Sequence, residues 1–227
     1  MTGTRADYPR VRDVLLELDR CSEIDLVVGC TAQHLTVNAG YTFSDVFSDF
    51  GNQCRPFQMY SGFGGDPFEM GKSACFASFG FANLIAEEKP DAILLTVDRA
   101  ETIAASVASI FANVPIFHIQ GGELTGTVDE VLRHAISKLS HVHFVANEAA
   151  KGVLCQLGEN PENIHVTGCP YVDYISSFEE ISKGDLAAEL GLDVSKEWIP
   201  VIYHPVTTEY ADASKHVSQL MEVMKSL

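Results

Sequence analysis

The sequence predicts an α/β fold built on a doubly wound, parallel, Rossmann-like sheet. Three observations carry that expectation. Short apolar runs, among them Ile93-Leu94-Leu95-Thr96-Val97 and Val114-Pro115-Ile116-Phe117-His118-Ile119, alternate with segments of helical length. Residues 102–113, between those two runs, are alanine-rich and long enough for about three helical turns, and a crossover of that length returns the second strand in the same direction. Each run also empties into charge: Asp98-Arg99 after the first, and Glu123 beyond Gln120-Gly121-Gly122 after the second. Ligands of open parallel sheets sit outside the carboxyl ends of the strands, so these side chains emerge where a site is expected.

In chain order, residues 9–20 place Val11, Val14, Leu15 and Leu18 on one helical face, with proline near the first turn. Residues 24–30 form the first credible strand. Residues 39–68, rich in Gly, Phe, Ser and Asp without a clean period, read as a long irregular connection with a short strand near residues 57–59. Met70, Ala74, Ala77, Phe81, Leu84 and Ile85 mark a buried helix face that stops at Lys89-Pro90. After the central unit, Thr127 with Glu130 has the form of a capping box for a helix striped by Val128, Leu132, Ile136 and Leu139. A strand over 141–146, a helix over 148–157 and a strand over 164–168 follow. Cys169-Pro170 reads as a boundary. The expected organisation is a Rossmann-like domain over 1–168, a crossover over 169–192, and the start of a second α/β domain over 193–227, with a strand at 199–203 and a helix over 211–227.

Composition bounds the function. With 46% hydrophobic residues in 227, the chain can bury a sizeable core. Its 15 Lys+Arg against 31 Asp+Glu, a formal charge of -16, exclude a nucleic-acid or anionic-membrane surface. An anionic ligand must be held by local arginines and helix starts. Six cysteines without CxxC or metal-ligand spacing, and no leader or spanning segment, read as reduced thiols in a cytoplasm.

The candidate site residues each have a plain alternative. Asp98 can cap a turn, and Glu123 can be a solvated loop carboxylate. Asp129 lies in the first turn of a helix, where the dipole favours an anion, and its place four before Arg133 permits a simple i,i+4 ion pair. His34 and His204 follow predicted strands, where histidine usually serves as a hydrogen-bonded polar residue. His141 and His143 share a strand face but have no third ligand at useful spacing. Arg5 sits on a glycine-led turn opening a helix, a natural phosphate contact. What raises these residues is their expected convergence at one edge of a parallel sheet or on the sheet facing it.

Gly3-Thr4-Arg5-Ala6-Asp7-Tyr8, Asp98-Arg99, the run from His118 through Gly121-Gly122-Glu123 to Asp129-Glu130, Arg133-His134-Ala135-Ile136-Ser137-Lys138-Leu139-Ser140-His141 and His204-Pro205-Val206-Thr207-Thr208 resemble the hydrolysing UDP-N-acetylglucosamine 2-epimerases. The resemblance runs in one order over essentially the whole chain. It implies a two-domain GT-B-like fold with a UDP-sugar in the cleft. It also implies a reaction in which a base removes the C2 proton while UDP leaves C1, and water adds to the resulting 2-acetamidoglucal to give N-acetylmannosamine and UDP. By matching motif, Asp98, Glu123 and Asp129 carry the proton transfers and orient water, and His204 lies by the diphosphate. Arg5, Arg99 and Arg133 contact substrate and His34 approaches the sugar. No metal or other cofactor is implied. The complete protein is expected to be a homo-oligomer, dimer or tetramer.

Two departures stand out against the family pattern. The apolar strand expected before Gly3 is missing, and the second domain stops after one strand and one helix, so the resemblance implies a chain truncated at both ends with little activity alone. Val97 also stands where the family commonly has glycine, and Arg10 where it has lysine. Other readings are a sister epimerase acting on a UDP-linked diacetamido-trideoxyhexose, a glycosyltransferase of the same architecture, and a non-catalytic fragment that pairs with full-length subunits.

Overall fold

The structure, a computed structural model, describes residues 1–59, 67–126 and 128–225. Thr127 of the expected capping box, residues 60–66 of the expected irregular connection, and residues 226–227 of the expected last helix lie outside them. Contacts divide the chain into two compact units, Met1–Ser176 and Ser177–Leu227.

The first unit is an α/β fold with parallel strands. Strands β3 (Ile93–Thr96), β4 (Ile116–Ile119), β5 (Val142–Val145) and β6 (Ile164–Val166) form one sheet in that order, all parallel. Strands β1 (Val28–Cys30) and β2 (Cys54–Pro56) pair in a second, also parallel. The first two residues lie between the sheets: Thr2 bridges Cys30 of β1, and the Met1 amino group donates to the Leu94 carbonyl of β3 at 3.3 Å.

Alternation along β3 sends neighbouring residues to opposite faces. Leu95 packs with Ala77, Phe81 and Ile85 of α3 (Pro67–Glu88) and with Ala104, Ala105 and Ala108 of α4 (Ala100–Phe111). Leu94 packs on the other face against the cluster of Val11 and Leu15 of α1 (Tyr8–Arg20) and Val46 and Phe50 of α2 (Phe43–Phe50). The small side chains of α4 let it sit close to the sheet, with Ser106 and Ser109 hydroxyls returned to carbonyls four residues back. Helix α5 (Val128–Leu139) follows β4 and buries Ile136, and α6 (Glu148–Gln156) covers β5 and β6 through Ala150 and Leu154. Helix α7 (Pro170–Ser176) packs against α1.

The stretch over 39–68 contains the short helix α2, held to α1 by a two-pronged Arg12–Asp49 pair (2.6 and 2.8 Å) to which Tyr8 adds its hydroxyl. The first strand is shorter than its apolar run because pairing with β2 spans only Val28 to Cys30, and β2 lies at 54–56 rather than 57–59. The second unit contains α8 (Lys183–Leu190), capped by the Ser182 hydroxyl, and α9 (Ala213–Met224). The expected strand at 199–203 does not form. Its residues carry no regular secondary structure and are mostly exposed, and among the described residues of this unit no other strand offers the neighbour a ladder requires.

Candidate active site

The carboxyl ends of β3 and β4 build the site. Asp98 leaves β3 two residues after Thr96. The residue between, Val97, has φ +58°, a left-handed conformation that is uncommon for a β-branched side chain. Gln120, after β4, has φ +61°. Both strands therefore turn sharply at the same edge.

Arg133 organises that edge. It is 4% exposed on α5. One Nη donates to the Asp98 carboxylate, the other to the Glu123 carbonyl oxygen at 2.5 Å and toward the Thr125 hydroxyl at 3.4 Å. A guanidinium can bind two separate groups at once because its donors diverge in a fixed plane. Asp129 lies one helical turn before Arg133, exposed, and no ion pair joins the two among the described residues. The Glu123 side chain is half-buried and borders a cavity of about 270 Å³ lined chiefly by apolar surface of Leu124, Ala149, Ala150 and Val153. The Glu130 carboxylate reaches back to the Thr125 and Gly126 amides (2.5 and 2.6 Å), tightening the loop that carries Glu123.

The two glycines before Glu123 have separate reasons. A Cβ on Gly121 would fall 2.7 Å from Ser137 Oγ and 3.0 Å from His118 Nδ1. Gly122 has φ +83°, and a Cβ there would meet the Ala150 carbonyl oxygen at 2.3 Å. Glu123 is thus delivered by a loop pressed flat against α5 and α6.

Arg99 follows Asp98, and its Nε lies 3.0 Å from Glu101 Oε1. Glu101, in the first turn of α4, is 1% exposed, and burial raises its carboxyl above the usual range despite Arg99 beside it. Its side chain lies directly under Gly3, so the turn carrying Arg5 rests on the helix that Asp98 and Arg99 lead into. Arg5 itself is exposed. Asp7 ties that turn together, accepting from the Thr2 hydroxyl and from the Gly3 and Thr4 amides at 2.7 to 3.2 Å. His34 is fully buried, its Nε2 2.9 Å from Thr2 Oγ1 and its Nδ1 2.8 Å from Thr42 Oγ1, and burial lowers its pKa. Both ring nitrogens are thus engaged, one on the Thr2 turn and the other on Thr42 at the start of α2, rather than free to approach a sugar.

The first unit by itself therefore joins Arg133 to the Asp98 carboxylate and the Glu123 backbone, with Asp129 one helical turn along α5 and Arg99 next to Asp98 in the chain. His204 is exposed in the second unit. His141 Nδ1 accepts the Ile116 amide of β4 at 3.1 Å and His143 Nε2 lies 3.3 Å from Glu159 in the turn after α6, so both histidines have structural partners. All six cysteines are free thiols. Sequence reasoning passed over Glu101, Asp7, His118 and Ser137. Their spacing was visible, but burial, which makes them matter, was not.

The family model for UDP-N-acetylglucosamine 2-epimerase matches residues 16–227. The chain belongs to this family. Among its relatives, the UDP-N,N'-diacetylbacillosamine 2-epimerase (hydrolyzing) of Legionella pneumophila is 39% identical over 92% of this chain and 55% of that protein. The UDP-N-acetylglucosamine 2-epimerase of Neisseria meningitidis serogroup B is 32% identical over 99% of this chain and 58% of that protein. The chain thus spans a little over half the length of these curated relatives. A crystal structure of the Neisseria meningitidis UDP-GlcNAc 2-epimerase bound to UDP-GlcNAc superposes with a TM-score of 0.65 at 25% identity, over 77% of this chain and 46% of that one. A structure from Listeria monocytogenes described as a putative UDP-N-acetylglucosamine 2-epimerase shares the fold with a TM-score of 0.68 at 21% identity. The epimerase fold is the α/β architecture expected from the sequence.

Proposed function

We propose that this chain carries the acid–base half of a hydrolysing 2-epimerase acting on a UDP-linked 2-acetamido sugar. The observation that supports it is the shared edge: Arg133 holds the Asp98 carboxylate and the backbone of Glu123, with Asp129 one turn away. The reaction needs one group to take the C2 proton as UDP leaves C1, one to return a proton to C2 from the opposite face, and one to orient the water that adds at C1. Asp98, Glu123 and Asp129 divide those roles. The bonds broken are C2–H and C1–O of the departing UDP; water supplies the new C1 hydroxyl and solvent the new C2 hydrogen.

In this reading Arg5 and Arg99 serve the diphosphate, where positive charge and donors stabilise the leaving group, and the family resemblance assigns His204 the same role. Arg133, with its donors directed at Asp98 and the Glu123 loop, acts through those residues, and His34 acts through the turn it holds. UDP-N-acetylglucosamine is the first substrate to test. The higher identity to the diacetylbacillosamine epimerase favours a second reading, a substrate bearing a C4 acetamido group in place of the hydroxyl. We place the protein in the cytoplasm as a homo-oligomer. The exposed Phe76 and Phe79 of α3 and Val107 and Phe111 of α4 support an assembling face.

The test is UDP release from each UDP-sugar, compared as kcat/KM. Release from one or both is expected, slow in keeping with the low activity that the resemblance implies for this span of the family, and lowered but still measurable in Asp98→Asn. Release from neither, or release indifferent to Asp98, contradicts the reading.

A further inference from the structure

We infer that His118 is a positioning residue for the Asp98–Arg133 pair. It is fully buried at the third position of β4. Its Nε2 lies 2.9 Å from the Val97 carbonyl oxygen and its Nδ1 3.2 Å from the Ser137 hydroxyl. A carbonyl only accepts, so the ring proton is on Nε2, and Nδ1 is left to accept from Ser137. One imidazole therefore joins the residue before Asp98 to the residue one helical turn after Arg133.

The links close a ring. The Val97 carbonyl belongs to the peptide plane from which Asp98 departs, and a peptide plane is rigid, so fixing its oxygen fixes the direction in which Asp98 leaves β3. Val97 is held in the left-handed region with φ +58° and its side chain buried, a conformation that persists only where the surroundings dictate it. The hydrogen bond from His118 is a constraint of that kind. On the other side, Arg133 and Ser137 lie at i and i+4 on one face of α5, so anchoring Ser137 anchors the turn that aims the guanidinium. Arg133 then meets the Asp98 carboxylate and completes the circuit. Gly121 covers the His118–Ser137 contact with no room for a side chain, which joins the Glu123 loop to the same device.

The geometric part of this inference stands on the structure alone; its consequence for turnover rests on the reading of Asp98 as an acid–base group. Two measurements separate them. The first is the Arg133 guanidinium by nitrogen NMR in the unliganded chain, where a doubly bound guanidinium rotates slowly and shows resolved Nη signals. The signals are expected to stay resolved in His118→Gln, which keeps a donor for Val97, and in the core control Ile136→Val. They are expected to merge in His118→Ala and in Ser137→Ala. Parent-like Arg133 signals in folded His118→Ala overturn the inference, and if that variant does not fold, parent-like signals in Ser137→Ala do so. The second is a double-mutant cycle on kcat. His118→Ala is expected to lower kcat about 10- to 100-fold with little change in KM, and to cost nothing further in an Asp98→Asn background. An equal loss in both backgrounds overturns the positioning role. A parent chain that releases no UDP counts against the proposed function, and the NMR result then decides on His118.

Discussion

Arg133 donates to the Asp98 carboxylate across 35 residues of sequence while the rest of its guanidinium reaches the carbonyl of Glu123. A single buried cation thus sets two of the proposed acid–base groups relative to each other. Replacing Arg133 by Ala leaves Asp98, whose side chain is 18% exposed, without its partner. The expected loss is at the lower end of the ~3–5 kcal/mol that follows breaking a buried pair, and urea denaturation measures it. Arg133→Lys keeps the charge but not the divergent donors, so it recovers part of the stability and less of the turnover.

Asp129 is expected to behave in the opposite way. It is exposed and makes no ion pair among the described residues, so Asp129→Asn should change stability by no more than about 0.5 kcal/mol. As a proton-transfer or water-orienting group it should cost about 10²- to 10⁴-fold in kcat. The comparison of thermal midpoint with turnover checks both.

Gly122→Ala tests how Glu123 is delivered. The added Cβ meets the Ala150 carbonyl oxygen at 2.3 Å in a left-handed turn, so the loop must move away from α6. Adoption of the left-handed conformation alone costs about 1–2 kcal/mol. Stability and turnover should fall together in this variant, whereas Glu123→Gln should lower turnover alone.

The buried histidines give stability a pH dependence with a defined sign. Burial lowers His118 to about 4, and lowers His34 and His143 as well. Between that value and the unfolded value of about 6.5, the unfolded chain binds a proton that the folded chain refuses, so stability is fully present above about pH 6.5 and is lost as pH falls toward 4. For His118 the loss is on the order of 3 kcal/mol. Glu101, raised by burial, acts in the opposite direction, with its contribution present at low pH and lost as pH rises. Subtracting the urea-derived stability curve of His118→Gln from that of the parent cancels Glu101 and should leave a difference that shrinks from pH 7.5 to pH 4.5. A difference independent of pH would contradict the assignment.

What the sequence disclosed follows from what periodicity encodes. The parallel unit from β3 to β4 was legible because apolar runs of strand length flank an alanine-rich helix, and Asp98 and Glu123 were legible because charge follows a buried run. Helix α2 was overlooked although Phe43, Val46, Phe47 and Phe50 stand at helical spacing, because the pattern lasts only eight residues and is set in a stretch rich in Gly, Ser and Asp. The strand expected at 199–203 had strand composition but lacked the neighbour that makes a strand. Spacing could not find the partner of Arg133 either. Asp129 stands at helical spacing, where a pair is permitted, yet the left-handed turn at Val97 brings Asp98 to the guanidinium instead. Contacts between distant segments, His118 with Ser137 and Glu101 with Gly3, leave no local period to read.

The most direct measurement is the isotopic fate of the sugar C2 when the chain turns over its UDP-sugar in deuterated water. If Asp98, Glu123 and Asp129 form one acid–base rim, the released sugar carries one deuterium at C2 in the inverted configuration, and each carboxamide variant suppresses that product. A sugar that keeps its original hydrogen and configuration at C2 would contradict the account, because the carboxylates would then have moved no proton there.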